Sequence, residues 1–459
     1  MTEHTTSRVR WFLVFWMFIL SVVAFLDRVN IAAAGSAIAS AYRLSNVQLG
    51  NVFSALLVGY ALFQAPGGRL ADRLGPRRLL AAGVVWWGIF TGLTALVPPN
   101  IAHPLLLFIA IRFLLGVGEA VVYPSSNQFV SRWIPTQERG LANGWIFAGV
   151  GVGAGLSPPL VTYIMLHYGW RWSFWACSVI GLVAGIVWYL AARDTPREHP
   201  LVSQNELKHI EAGIKASALP TEGGPRHLVR WRTVLKSKEV WAMTFSYFCF
   251  GYVAWIFFSW FFIYLAQVRG LNLKSSAFYA MFPPLAMGVC SLLGGIISDR
   301  LTRWKGARLG RCLLASLSIF LAGMFLLFGS QVTSARLASV VLAGGAGALY
   351  LSQSSFWSVT SGIAGTSSGS VSGFMNTGGQ LGGALTASLT PWIADRFGWT
   401  ASFLVAAILC ALGGLAWWIV NPERTLPVHS VEETNLNLSA QKSSESSMDR
   451  SNFIAPRSS

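Results

Sequence analysis

Four ionisable residues stand in stretches that are otherwise almost wholly apolar: Asp27 and Arg28 in one, Arg112 and Glu119 in another. A charge at the centre of a bilayer costs about 2.5–3.5 kcal/mol on insertion scales, so four unpaired ones would cost on the order of 10 kcal/mol. Two acids and two bases offset much of this by pairing. Cohesion alone is a poor reason to keep them, because a buried ion pair stabilises no better than well-packed apolar side chains. What such a cluster does well is exchange partners. A buried carboxylate stays ionised beside an Arg, and takes a proton once that Arg moves or is claimed by another anion. Arg112 and Glu119 are seven residues apart, so on a helix they share a face, two turns and roughly 10 Å apart. Two long side chains at that spacing can nearly meet, or share a partner from the first stretch. Asp27 and Arg28 point about 100° apart, and both can face a wide cavity.

These residues need elements that hold them at membrane depth. The chain has 459 residues, 53% apolar and 11% charged, against about 25% charged in soluble domains. That is too little charge to cover a water-exposed surface, and the composition is neither disordered nor that of a disulfide scaffold. Runs long enough to cross a bilayer, roughly 20 residues each, occur at 11–34, 48–71, 79–98, 104–126, 140–165, 172–192, 240–268, 275–298, 310–331, 335–358, 369–394 and 400–420. The expected fold is an all-α membrane protein of twelve transmembrane helices. A secretory signal over 11–39 is disfavoured by Asp27 and Arg28 and by the length of the apolar run.

The net charge of +16 does not mark a nucleic-acid binder, because the basic residues lie between apolar runs. With the amino terminus in the cytoplasm, 26 of the 34 Lys and Arg fall on the inside and six outside. Both termini are therefore expected to be cytoplasmic, in a plasma (inner) membrane. The five cysteines lie in or beside apolar runs without metal-ligand spacing, and read as packing residues. No metal, nucleotide or other cofactor motif is present, nor a nucleophile–base arrangement, so an enzyme is not expected.

The sequence is also two halves. Gly67-Gly68-Arg69-Leu70-Ala71-Asp72-Arg73-Leu74 returns as Gly294-Gly295-Ile296-Ile297-Ser298-Asp299-Arg300-Leu301, 227 residues on. Tyr168-Gly169-Trp170 returns as Phe397-Gly398-Trp399, 229 residues on. Two unrelated landmarks at nearly one offset indicate a duplicated six-span unit, with a substrate site expected between the halves at the midplane. The expected units are an amino-terminal bundle (1–193), a cytoplasmic linker (194–238), a carboxy-terminal bundle (239–421) and a disordered tail (422–459). Ser203-Gln204-Asn205-Glu206 in the linker reads as a capping box, followed by Leu207, Ile210 and Ile214 at helical spacing.

The segment from Gly67 to Arg78 resembles the signature between spans 2 and 3 of the major facilitator superfamily. Phe25-Leu26-Asp27-Arg28-Val29-Asn30, Arg112 through Ala120, Phe356-Trp357 and Gly373-Phe374-Met375-Asn376 are similar to the anion:cation symporter family within it. That group includes bacterial galactonate, glucarate and hexuronate carriers. The resemblance implies the major facilitator fold, with two pseudo-symmetric six-helix bundles. It implies gating roles for Gly68, Asp72, Arg73, Gly75, Arg77 and Arg78, with Asp72 latched to the other half by cations or a helix dipole. It implies that Asp27 and Glu119 carry protons, with Arg112 as the switching partner of Glu119, and that Arg28 binds a substrate carboxylate. Tyr60 and Asn376 match ligand positions, and Gln380 stands four residues after Asn376, on the same face. Trp357, Ser355, Tyr252 and Trp255 are candidates for the carboxy-terminal side of the cavity.

Departures from the pattern also matter. Phe25 stands where sugar-acid carriers often have Tyr, and Val150 near the position of a Gln in galactonate carriers. Thr366-Ser367-Ser368 lacks the basic residue often seen before span 11. The organic-anion class is thus better marked than any one sugar acid. The expected function is proton-coupled import of an organic anion, of the aldonate, aldarate or hexuronate kind, by a monomer in the lipid bilayer. A drug:proton antiporter of the same fold is the first alternative. Its Gly-Pro signature is missing from Gly149–Pro159, whose glycines read as close helix packing. A non-transporting sensor is the second, and the retained acids and plain linker disfavour it.

Overall fold

A computed structural model describes residues 7–99, 101, 103–214, 228–261 and 264–427, which form helices and connecting turns without strands. The expected tail and the middle of the linker lie largely outside the described residues. The first half comprises α1 (Val9–Tyr42), α2 (Asn46–Leu74), α3 (Pro76–Leu96), α4 (Pro104–Glu119), α5 (Val122–Trp133), α6 (Arg139–Tyr168) and α7 (Trp170–Ala191). Two short helices, α8 (Gln204–Gly213) and α9 (Trp231–Lys236), follow. The second half comprises α10 (Lys238–Ser259), α11 (Leu273–Ala280), α12 (Phe282–Lys305), α13 (Leu314–Gln331), α14 (Ala335–Leu351), α15 (Gln353–Ala364), α16 (Ser368–Phe397) and α17 (Trp399–Ala416).

Among the described residues eleven stretches are long and apolar enough to cross a membrane, and one of them, Ala335–Phe397, has 63 residues. At 1.5 Å per residue that is enough for two crossings of a core about 30 Å thick. Twelve crossings follow, as the apolar runs predict. Two of them are interrupted at mid-depth. Span 4 is α4 and α5, with a turn at Ala120–Val121, and span 10 is α14 and α15, with a turn at Ser352. The sequence reading, which took both as single helices, did not foresee this. The break in span 4 has a local cause, since Pro124 has no N–H to give the Ala120 carbonyl four residues back, whereas the break at Ser352 contains neither Pro nor Gly.

The bundles meet along α2 against α16 and α6 against α12. The approach of α2 to α16 is as close as backbones allow, since a Cβ on Gly68 would overlap the Gly369 carbonyl oxygen. On the face carrying Ser7 and Leu426, hereafter the terminal face, the linker bridges the halves. The Arg69 guanidinium donates to the Val229 carbonyl (2.8 Å), and the Val229 amide donates to Ser367 Oγ (2.9 Å).

The expected capping box at Ser203 is only half formed. Ser203 Oγ accepts from the Glu206 amide (3.2 Å), but the Ser203 amide donates to Ser7 Oγ (2.8 Å) rather than to Glu206. Glu206 instead caps α1, accepting from the Val9 and Arg10 amides (3.1 and 3.2 Å) and from the Arg10 guanidinium (2.9 Å). A carboxylate at a helix amino terminus satisfies free N–H groups and opposes the helix dipole, so the linker is anchored to the first span.

Candidate functional site

Between the halves lies a cavity of ≈ 280 Å³. Its floor, toward the terminal face, is a sheet of rings contributed by both halves. Tyr123 stacks on Phe147 (centroids 5.0 Å apart), and Phe147 meets Trp357 at 4.9 Å. Of the residues expected at the substrate, Arg28, Tyr60, Trp357, Asn376 and Gln380 line the cavity. Trp255 does so too. Tyr252 does not, and its hydroxyl meets Thr390 Oγ1 (3.2 Å). Ser355 is buried on α15 outside the lining. Val150 faces the cavity.

Arg28 is the centre of the amino-terminal side. Its guanidinium lies over the Phe25 and Tyr60 rings, at 4.9 and 4.3 Å from their centroids. Its Nε donates to Glu119 Oε2 (2.6 Å), while the other Glu119 oxygen has no hydrogen-bond partner. The aromatic faces favour a cation and fix its plane. Glu119 is the last residue of α4, directly before the interruption in span 4.

Of the two arrangements that the helix spacing allows, the structure shows the one with a partner from α1. Arg28, not Arg112, is the hydrogen-bonded partner of Glu119. Arg112 is 1% exposed, and its Nε and Nη1 lack hydrogen-bond partners, although it interacts electrostatically with Asp27 and Glu119. Asp27 does not line the cavity. It turns into the amino-terminal bundle, where the Thr91 hydroxyl of α3 donates to Oδ2 and Oδ1 has no partner.

The carboxy-terminal side is neutral. Asn376 Nδ2 donates to Gln64 Oε1 across the bundle interface (2.9 Å). Gln353 and Tyr247, which the sequence reading did not single out, join through Gln353 Nε2 and the Tyr247 hydroxyl (3.0 Å). Tyr123 was also missed, although it stands four residues after Glu119, at the spacing that keeps one helix face. An amide or a tyrosine is inexpensive at this depth compared with a charge, so nothing in the sequence set them apart.

Below the cavity the halves are sealed on the terminal face. Asp72, at the end of α2, accepts from the Gly369 and Ser370 amides (2.9 and 2.8 Å) and from the Ser370 hydroxyl. Asp299, at the matching place in α12, accepts from the Gly140 and Leu141 amides (2.8 and 2.6 Å). Each aspartate thus caps a helix of the opposite half, the dipole form of the expected latch. Between the two latches, Asn127 bonds Thr360 Oγ1 and Ser361 Oγ (2.9 and 2.6 Å), and Asn143 bonds Ser358 Oγ (3.2 Å).

The other residues expected in the gate lie at the turn after α2. Gly75 has φ +88°, in the left-handed region that suits glycine. The Arg77 amide donates to Asp194 Oδ1 (3.0 Å), and its guanidinium donates to the Tyr189 carbonyl (2.9 Å). Arg73 and Arg78 are exposed.

Residues 17–387 and 367–451 match the model of the Major Facilitator Superfamily. The chain is 31% identical over 414 residues to the probable sulfoacetate transporter SauU of Cupriavidus necator, spanning 89% of this chain and 93% of that one. It is 29% identical to the hexuronate transporter of Bacillus subtilis (88% and 92% covered) and 27% identical to the probable L-galactonate transporter of Escherichia coli (87% of each). Among solved structures, the proton:xylose symporter XylE bound to 6-bromo-6-deoxy-D-glucose superposes with a TM-score of 0.71 at 17% identity, covering 90% of this chain and 97% of that one. That last likeness is one of fold.

Proposed function

The chain belongs to the Major Facilitator Superfamily, and from that premise we propose that it is a proton-coupled importer of an organic anion of the sugar-acid class. One observation carries this reading: a single guanidinium, Arg28, both lines the cavity and pairs with Glu119. An anion reaching Arg28 competes with Glu119 for the same cation. A carboxylate stripped of its cation in a dry site takes up a proton, so anion binding and protonation of Glu119 favour each other. Asp27, adjacent in sequence but facing the bundle interior, is a second proton site, and Arg112 is the cation that balances both acids in turn. Tyr60, Asn376, Gln380 and Trp357 contact the body of the anion. The names of the relatives support an organic-anion cargo: two name sugar acids and one names sulfoacetate.

In this reading the bundles 1–193 and 239–421 rock about the cavity, joined by the linker 194–238. The termini and the tail 422–459 lie in the cytoplasm, as the surplus of Lys and Arg there requires. The structure is then the outward-facing or occluded form, since the terminal face is the sealed one. The membrane is the inner one and the unit a monomer.

Proteoliposomes decide the coupling. With an imposed inward proton gradient, the wild type is expected to accumulate a carboxylate such as D-gluconate or D-glucuronate. Glu119→Gln is expected to lose accumulation while keeping counterflow exchange. Full gradient-driven accumulation in that variant removes Glu119 from the mechanism, and proton-driven efflux from loaded vesicles would replace import by export.

A further inference from the structure

Among the cavity's polar groups without a hydrogen-bond partner, which include the Tyr123 hydroxyl and the Trp357 indole N–H, one is an amide held in place from its other end. Gln353 is the first residue of α15, directly after the interruption of span 10, and is 1% exposed. It lines the cavity, one end of its amide is bonded to the Tyr247 hydroxyl, and the other end has no partner. A buried amide end without a partner costs a desolvation penalty that a folded protein rarely leaves uncompensated. Tyr247 is itself fixed, stacked on Phe250 with centroids 5.1 Å apart and set edge-on against Phe356 at 4.8 Å. The amide is therefore held in place with its open end unmatched. A tyrosine hydroxyl satisfies either end of an amide, so the vacant end can be the carbonyl or the N–H group. One ligand group meets both cases: a hydroxyl, which accepts and donates.

We propose that Gln353, positioned by Tyr247, bonds a hydroxyl of the transported anion, so that the cavity selects hydroxylated carboxylates over plain ones of the same size. The inference rests on the organic-anion reading above and assigns a selector to it. Arg28 takes the charge from the amino-terminal half, and Gln353 reads the body of the same molecule from the carboxy-terminal half. Sites built to bond a hydroxyl reject analogues lacking it far more strongly than apolar pockets reject a missing methylene, because the site's own polar group is then left unpaired.

Binding to the purified full-length chain tests this, by thermal shift and counterflow. The probes are D-gluconate, D-glucuronate, hexanoate and the monodeoxy analogues of the tighter sugar acid. In the wild type, one monodeoxy analogue is expected to bind about 10–100-fold more weakly than its parent. In Gln353→Met the parent should fall to the affinity of that analogue, while the analogue itself is little changed. Tyr247→Phe, which keeps the ring and removes the hydroxyl that orients the amide, should shrink the same penalty in part, and carries the test if Gln353→Met does not fold. An equal loss for the parent and every analogue, or no loss at all, overturns the assignment. Equal binding of hexanoate and gluconate by the wild type overturns the selector while leaving anion transport standing. Failure to bind any carboxylate removes both readings together.

Discussion

The two halves interrupt corresponding helices and place different chemistry at the interruptions. In the amino-terminal half, Glu119 ends α4 and pairs with Arg28; in the carboxy-terminal half, Gln353 begins α15 and pairs with Tyr247. A duplicated unit would be expected to carry duplicated chemistry, and at the latches it does, with Asp72 and Asp299 each capping a helix of the opposite half. In the cavity the symmetry is given up. Charge, which must respond to protons, is confined to the amino-terminal side of the cavity, and the carboxy-terminal side is wholly neutral. The division spares the carboxy-terminal side of the cavity the cost of burying an ion, and a bound anion would bridge the two kinds of group.

That contrast can be broken experimentally. The largest effect is expected from Arg28→Ala, which removes the charge partner of both Glu119 and the anion. Truncating one member of a buried pair costs about 3–5 kcal/mol, so carboxylate binding measured by thermal shift should vanish. Retained binding would move the anion site elsewhere. Next come the latches. Asp72→Asn should open the terminal face more than Asp299→Asn, because Asp72 accepts three hydrogen bonds and Asp299 two. At about 1.5–3 kcal/mol for a bond to a charged group, the shift should be visible as labelling of cysteines introduced along α5 and α15. Equal labelling of the two variants would show that the latches are energetically symmetric. The smallest effect is expected from Asn376→Ala, at about 1 kcal/mol for a neutral bond. Affinity should fall several-fold in counterflow, with an unchanged number of protons moved per anion. A change in that number would erase the division of labour.

Much of the fold was legible because the membrane makes it so. A span must be apolar for its whole length, and the repeated Gly-Gly…Asp-Arg segment fixed the duplication. The charged half of the site was legible for the same reason: Asp27, Arg28, Arg112 and Glu119 stand out against Leu and Val. The choice among their pairings was not, because helix spacing allows Glu119 either Arg112 or a partner from α1, and only the tertiary structure brings the Arg28 side chain to it. The neutral half was nearly silent. Gln353, Tyr247 and Tyr123 look like ordinary residues of a span, and only the cavity distinguishes them. Glu206 was read as the far end of a capping box, and its true partner, the start of α1, lies about 200 residues away in sequence.

Both latch aspartates reach for peptide N–H groups, and this leaves an unequal freedom to change. At 141 any residue with an N–H supplies the same donor, whereas a Cβ at Gly140 or Gly369 would fall 2.5 or 2.7 Å from the aspartate oxygen that it serves. The carboxylates, and the bare backbone opposite Gly369 at Gly68, have no such substitutes. A lock whose keyhole is bare main chain holds both parts fast, which makes the two aspartates and the glycines at 68, 140 and 369 the places where divergence should be slowest.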